Sequence, residues 1–213
     1  MDKYTAPDIL RSALVTIDTQ NDFVLPGAPA EIPGSVKVIP NMVGILRECR
    51  KKGVPIIHVV RLYLPDGSNA DLCRRGMIES GKKIVTPGSD GAELVDDLKP
   101  HQFQLDPDIL LAGKFQQIGT SEFVIYKPRW GAFYKTDLED FLKSMEINTL
   151  IFTGCNFPNC PRTTIYEASE RDFRVVLVED AVSGLNQKGV EEMEAIGVQM
   201  MTTSQFLECL KAR

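Results

Sequence analysis

The sequence lacks the features that mark several common protein classes. No apolar run approaches the roughly 18 residues expected of a membrane span. The opening residues, MDKYTAPDILRS, contain no apolar core of a secretory leader. Basic residues do not dominate: 24 Lys and Arg stand against 29 Asp and Glu, for a net charge of −5. The basic footprint of a nucleic-acid-binding surface is therefore missing. The short cluster Arg50-Lys51-Lys52 ends a helical pattern, where cations suit the helix dipole. Histidine is scarce, with two in the chain, and none lies between residues 59 and 100. Cys155 and Cys160 have no second pair or nearby histidine to complete a zinc site. No Gly-x-Gly-x-x-Gly follows the first strand, so a dinucleotide is not indicated. Gly76–Lys83 (GMIESGKK) approaches a phosphate loop, but no Ser or Thr follows the lysine and no strand precedes it. The expectation is a cytoplasmic protein with a small-molecule partner, no cofactor, no metal, no nucleic acid and no membrane.

What is present is an ordinary globular composition: 213 residues, 43% hydrophobic and 25% charged. That length predicts one domain, residues 1–213. The five cysteines (Cys49, Cys73, Cys155, Cys160 and Cys209) are odd in number, which argues for reduced thiols. Short β-rich runs occur at Ala13–Asp18, Val54–Val60, Phe123–Tyr126, Thr149–Thr153, Arg174–Val178 and Val198–Thr202. Helical patterns lie between them. One is Pro40–Lys52, with proline in its first turn and Gly53 at its end. Another follows a capping box at Thr136–Glu139, with Leu138, Phe141, Leu142 and Met145 at helical spacing. Pro161–Asp172, Gly189–Ile196 and a last helix capped by Ser204 complete the series. The alternation predicts a three-layer α/β/α fold: a doubly wound, mainly parallel, six-stranded sheet with helices on both faces. Residues 62–122 read as loops and short helices over one end of it.

In such folds ligands sit beyond the carboxyl ends of the strands. After the first strand comes Asp18-Thr-Gln-Asn-Asp-Phe23, and after the third comes Lys127-Pro-Arg-Trp-Gly. After the fourth comes Gly154-Cys-Asn-Phe-Pro-Asn-Cys160-Pro161. An acid, a base and a thiol thus face one rim. Proline after Cys160 predicts a helix start there, whose free N–H groups favour a thiolate. A nucleophilic cysteine needs a proton acceptor and donors for an oxyanion. His58 reads as a core histidine within a strand and His101 as a surface one, which leaves Asp18 as the acceptor and Lys127 as its charge partner. Taken singly, Asp18 also fits a turn, Lys127 a solvated position and Cys160 a cap. Arg61, Arg129 and Arg162 near the rim offer a fork for a carboxylate, and each equally suits a surface ion pair.

With D-x-Q-x-x-F after the first strand, a lysine after the third, GCNFPNCPRTTIYEA at Gly154–Ala168 and DAVSG at Asp180–Gly184, the chain resembles the isochorismatase-like cysteine hydrolases. That superfamily includes nicotinamidases, N-carbamoylsarcosine amidohydrolases and ureidoacrylate amidohydrolases. The resemblance spans nearly the whole chain. It implies Cys160 as nucleophile, Asp18 as general base and then acid, and Lys127 as charge partner. It also implies a non-proline cis peptide between Cys155 and Asn156, turning the Asn156 N–H into an oxyanion hole with the Cys160 N–H. Phe23, Arg61, Trp130 and Phe157 are the expected substrate-binding residues, and a homodimer or homotetramer is the expected assembly.

The chain departs from the family pattern at Asn156-Phe157 and at Pro161, which reshapes the pocket mouth. Arg61-Leu-Tyr-Leu-Pro-Asp66 stands where nicotinamidases carry metal ligands, which argues against that metal and that substrate. The expected activity is hydrolysis of a small amide, ureido or carbamoyl compound through a thioester. The alternatives are thiol-independent vinyl-ether hydrolysis and a non-catalytic binding role.

Overall fold

The computed structural model describes residues 2–211. The strands are β1 (Ser12–Ile17), β2 (Ile56–Val60), β3 (Gln116–Gly119), β4 (Glu122–Tyr126), β5 (Thr149–Gly154), β6 (Arg174–Val182) and β7 (Gln199–Met201). The helices are α1 (Asn21–Val24), α2 (Ser35–Lys52), α3 (Leu72–Glu79), α4 (Pro107–Leu111), α5 (Leu138–Ser144), α6 (Cys160–Ser169), α7 (Gln187–Ala195) and α8 (Thr203–Lys211). They form a seven-stranded sheet ordered β3-β4-β2-β1-β5-β6-β7. All six expected strands are there. The seventh, β3, is an antiparallel edge strand on β4, and its sequence QQIG has too little β character to announce itself.

Alternate side chains of each strand feed opposite faces, as the pleat demands. Ala13, Val15 and Ile17 of β1 and Leu150 and Phe152 of β5 pack with α5, α6 and α7. Leu14 and Ile151 face the other way, against Ile45 and Leu46 of α2 and Phe206 of α8. A third cluster, including Phe23, Leu62, Tyr63, Ile78, Ile84 and Leu110, gathers the 62–122 segment over the β2–β4 end of the sheet.

Three helix boundaries differ from expectation. Helix α2 begins at Ser35, so Pro40 lies inside it rather than at its start. The ring tolerates this because Pro40 is exposed and removes one backbone donor close to the helix N-terminus. The Thr136–Glu139 capping box does not form: the Thr136 hydroxyl donates to the Ala132 carbonyl at 2.6 Å, and α5 opens after Asp137. Helix α8 is capped by Thr202, not Ser204. Thr202 Oγ1 accepts from Gln205 N at 3.3 Å, and Gln205 Oε1 accepts from Thr202 N at 2.8 Å.

The carboxyl edge of the sheet is tied together by Gln20, fully buried beyond β1. Its Nε2 donates to the carbonyls of Arg61 and Ala92, both at 2.7 Å, and its Oε1 accepts from Arg61 N at 2.7 Å. One side chain thereby joins the ends of β1 and β2 to the loop that crosses them. Gln20→Ala is expected to destabilise the chain by about 3 kcal/mol, since it leaves buried peptide groups unpaired. Urea denaturation measures this, and a midpoint equal to wild type would contradict it.

Candidate active site

The order of the sheet reverses between β1 and β5, which creates a crevice beyond their carboxyl ends. Backbone hydrogen bonds continue the strand register past the last strand residues and hold three tips level. Asp18 N donates to Val59 O at 2.9 Å, Cys155 N to Ile17 O at 2.8 Å, and Lys127 N to Val60 O at 3.0 Å. Asp18 itself has φ +52°, a left-handed conformation that aspartate tolerates better than most residues.

The Asp18 carboxylate and the Lys127 ammonium form an ion pair, Oδ2 to Nζ, of 2.9 Å. Asp18 is 4% exposed and Lys127 is 0% exposed. A buried lysine of this kind needs its counter-charge, because either ion left alone would carry a large desolvation penalty. Asp18 Oδ1 is buried and has no hydrogen-bond partner among the described residues. The carboxylate thus has one oxygen held by Lys127 and one open.

Cys160 is the first residue of α6, and Pro161 fills the second position, where its missing N–H is of no consequence. The thiol is pushed up to about 12, first by burial and then by the neighbouring Asp18 charge, against the opposing pull of Lys127. Desolvation and the carboxylate oppose the helix start, which by itself favours a thiolate, and they favour the proton on sulfur. The thiol adjoins both members of the ion pair, whose charges act on it directly.

The segment between β5 and α6 is built around Gly154, at φ +119°. A Cβ at that position would stand 2.3 Å from Ile17 O and 2.6 Å from Ile17 N. Further along, Phe157 N donates to Ser183 O at 2.7 Å. The expected cis bond between Cys155 and Asn156 is not found: every peptide among the described residues is trans. The glycine's positive φ reverses the chain at this point, and the Cys155 and Phe157 anchors complete the turn with trans bonds. The N–H groups of Asn156 and Cys160 have no backbone acceptor among the described residues. Both residues line the cleft.

That cleft is bounded by Asp18, Cys160 and Asn156 on the sheet side and by Phe23, Trp130, Arg61 and Arg74 on the other. Its free volume is about 30 Å³. The expected positions Phe23, Arg61 and Trp130 all contribute to it. Phe157 does not: it is buried in the core on the α6 and α7 side, where its ring lies against Gly189. The aromatic ring follows the chain reversal inward, away from the cleft. Sequence reading missed Tyr63, Asp71 and Arg74, since nothing local marks the path of the 62–79 segment. Arg61 is 2% exposed, and its guanidinium donates to Lys127 O at 2.8 Å, Arg129 O at 3.1 Å, Tyr63 Oη at 3.2 Å, and Asp71. Burial pushes the Tyr63 hydroxyl up to about 12, so it donates as a neutral phenol to Asp71 Oδ2 at 3.1 Å.

Known proteins match this chain in sequence and in fold. The family described as "Isochorismatase domain" matches residues 12–205. The chain belongs to the isochorismatase family. An isochorismatase family protein from Desulfovibrio vulgaris has a solved structure that is 33% identical, with a TM-score of 0.80, covering 95% of this chain and 99% of the other. The N-carbamoylsarcosine amidase of Arthrobacter is 28% identical over 208 residues, 95% of this chain and 72% of that protein. A "probable inactive nicotinamidase" of Arabidopsis thaliana is 30% identical over 203 residues, 92% of this chain and 95% of that protein. The family's relatives thus include enzymes named for amide hydrolysis and one named as inactive.

The remaining candidates lie outside this isochorismatase-family cleft. Arg162 pairs with Glu192, and Arg129 donates to the carbonyls of Asn69 at 3.1 Å and Pro128 at 2.6 Å. His58 is fully buried between Thr16 Oγ1 at 2.8 Å and Glu122 Oε1 at 2.7 Å, while His101 is exposed. Gly76–Lys83 forms the end of α3 and the turn after it. No group of three or more His, Cys, Asp or Glu that could hold a metal ion occurs among the described residues. No helix among them is long and apolar enough to cross a membrane.

Proposed function

We propose that this chain is a cysteine-dependent amidohydrolase that cleaves a C–N bond of a small amide, ureido or carbamoyl compound through a thioester on Cys160. One observation carries the reading: Asp18 offers an unpartnered oxygen in the electrostatic reach of a protonated Cys160 thiol, while its other oxygen is fixed 2.9 Å from Lys127. A resting thiol must lose its proton as it attacks, and the open Asp18 oxygen is placed to accept it. Sulfur then bonds to the substrate carbonyl carbon, and the carbonyl electron pair moves to oxygen. The Asn156 and Cys160 N–H groups are the candidate donors to that oxyanion. As the tetrahedral intermediate collapses, the C–N bond breaks and Asp18 returns the proton to the departing nitrogen. Water, losing a proton to Asp18, attacks the thioester. Release of the acid product restores the thiol. Lys127 holds Asp18 Oδ2 in place between these steps and stabilises the thiolate as it develops.

The relatives support amide-type substrates, since they include the N-carbamoylsarcosine amidase. The test is turnover of a panel of amides, ureas and carbamoyl acids, with mass spectrometry of the quenched enzyme. The expected result is an acyl adduct on Cys160 in wild type and its absence, with loss of turnover, in Cys160→Ala. Undiminished hydrolysis by Cys160→Ala would remove the thioester and favour a reaction that does not need sulfur. The similarity to a relative named as inactive favours a second reading, a binding role. It predicts no turnover of any panel member by a folded wild-type chain.

A further inference from the structure

Charge in the cleft is unbalanced by one. Its carboxylates are Asp18 and Asp71. Asp18 is paired with Lys127, and Asp71 with Arg61. Each pair is buried and closed on itself, so neither cation is available to a ligand. Arg74, on α3, lines the same cleft and stands half-buried at its mouth. Among the described residues its side chain has no carboxylate partner and no hydrogen-bond acceptor, in contrast to Arg61, Arg129 and Arg162. Its field reaches inward far enough to oppose the upward shift of the Tyr63 hydroxyl. A guanidinium left unpaired in the cleft that Cys160 also lines, between walls of low polarisability, creates a local positive potential that an anion would neutralise.

We propose that Arg74 is a substrate-specificity residue that binds a carboxylate on the substrate, so that the preferred amide is a small monoanion with its carbonyl at Cys160 and its carboxylate at the mouth. This rests on the reading of Cys160 as the reacting group only for the orientation. The anion preference follows from the charge count. A carboxylate fits better than a phosphate because one unit of positive charge is unopposed, and a planar two-oxygen anion matches the guanidinium fork. The arrangement also explains why Arg61 cannot serve: its donors hold the 62–79 segment to the β4 tip, and withdrawing them would strand Asp71.

The experiment compares two probes that differ in a single group, succinamate (a carboxylate and an amide) and succinamide (two amides), titrated by calorimetry into the full chain carrying Cys160→Ala. Succinamate is expected to bind more tightly than succinamide. Adding Arg74→Met, which keeps the stem and removes the charge, should weaken succinamate about 10- to 100-fold and leave succinamide within about twofold. Arg74→Lys should restore part of the loss. In the chain with Cys160 intact, the same substitution should raise KM for anionic substrates more than it lowers kcat. Equal weakening of both probes, unchanged succinamate affinity in Arg74→Met, or no preference for succinamate at the outset would each overturn the proposal. Binding needs no turnover, so a failed thioester mechanism and a failed Arg74 assignment give different results.

Discussion

Asp18→Asn is expected to do two opposite things to Cys160: hydrolysis should fall about a thousandfold to ten-thousandfold, while alkylation by iodoacetamide at neutral pH should rise at least about tenfold. The first follows from losing the proton carrier for both acylation and nitrogen departure. The second follows from the charges around the thiol, which sits near 12 in part because the Asp18 carboxylate disfavours a second negative charge beside it. Removing that charge lets Lys127 face the sulfur alone, and the thiol's pKa falls. Below the pKa, each unit of decrease gives tenfold more thiolate. The pH profile separates the two chains. Wild-type alkylation should climb without a plateau from about pH 7 to about pH 10, because the titration lies above that range. The Asp18→Asn profile should bend at lower pH. If alkylation instead slowed in Asp18→Asn, the carboxylate would not be the group that keeps the sulfur protonated.

Gly154→Ala is the second large effect, and it is structural. The residue combines φ +119° with a Cβ position 2.3 Å from Ile17 O, and both obstacles are backbone. No rotamer relieves a clash with a neighbouring strand. The β1–β5 register runs through Ile17 opposite Gly154 itself. Relief requires the tip of β5 to lift from β1, which would carry Cys155 and the start of α6 away from Asp18. A loss of about 3–5 kcal/mol is expected from strain and overpacking together. For a chain of this size that lowers Tm by roughly 10–15 °C. Thermal denaturation followed by circular dichroism measures it, and turnover at a temperature where the variant is folded should still be strongly reduced. A Tm within two or three degrees of wild type would mean the contact is softer than its geometry.

The strand tips were legible because chemistry and topology coincide there. An acid, a lysine and a cysteine each followed a β-rich run, and parallel strands carry such positions to one rim. What escaped was local competition and long-range path. Pro40 looked like a helix start, yet Gly34 and the buried Ser35 set the boundary five residues earlier. Thr136 looked like a cap, but α5 opens one residue later, after Asp137, and the Thr136 oxygen accepts only a long 3.5 Å bond from Leu138 N. At Cys160 the helix start is visible in sequence, whereas the burial and the approach of Asp18 that push its thiol up are not. Arg74 and Asp71 were missed for the same reason as the pocket shape: the 62–122 segment is fixed by contacts distant in sequence, such as Gln20 to Ala92. The trans bond after Cys155 shows the limit of resemblance, since the motif was present and the backbone solved the turn another way.

Lys127 has no solvent-exposed surface. An amine sealed in this way is invisible to acylating reagents while the sheet is closed, whereas most lysines of the chain label at once. Its slow acetylation, followed by peptide mass spectrometry, would therefore act as a clock for opening of the carboxyl edge, read from a single nitrogen atom.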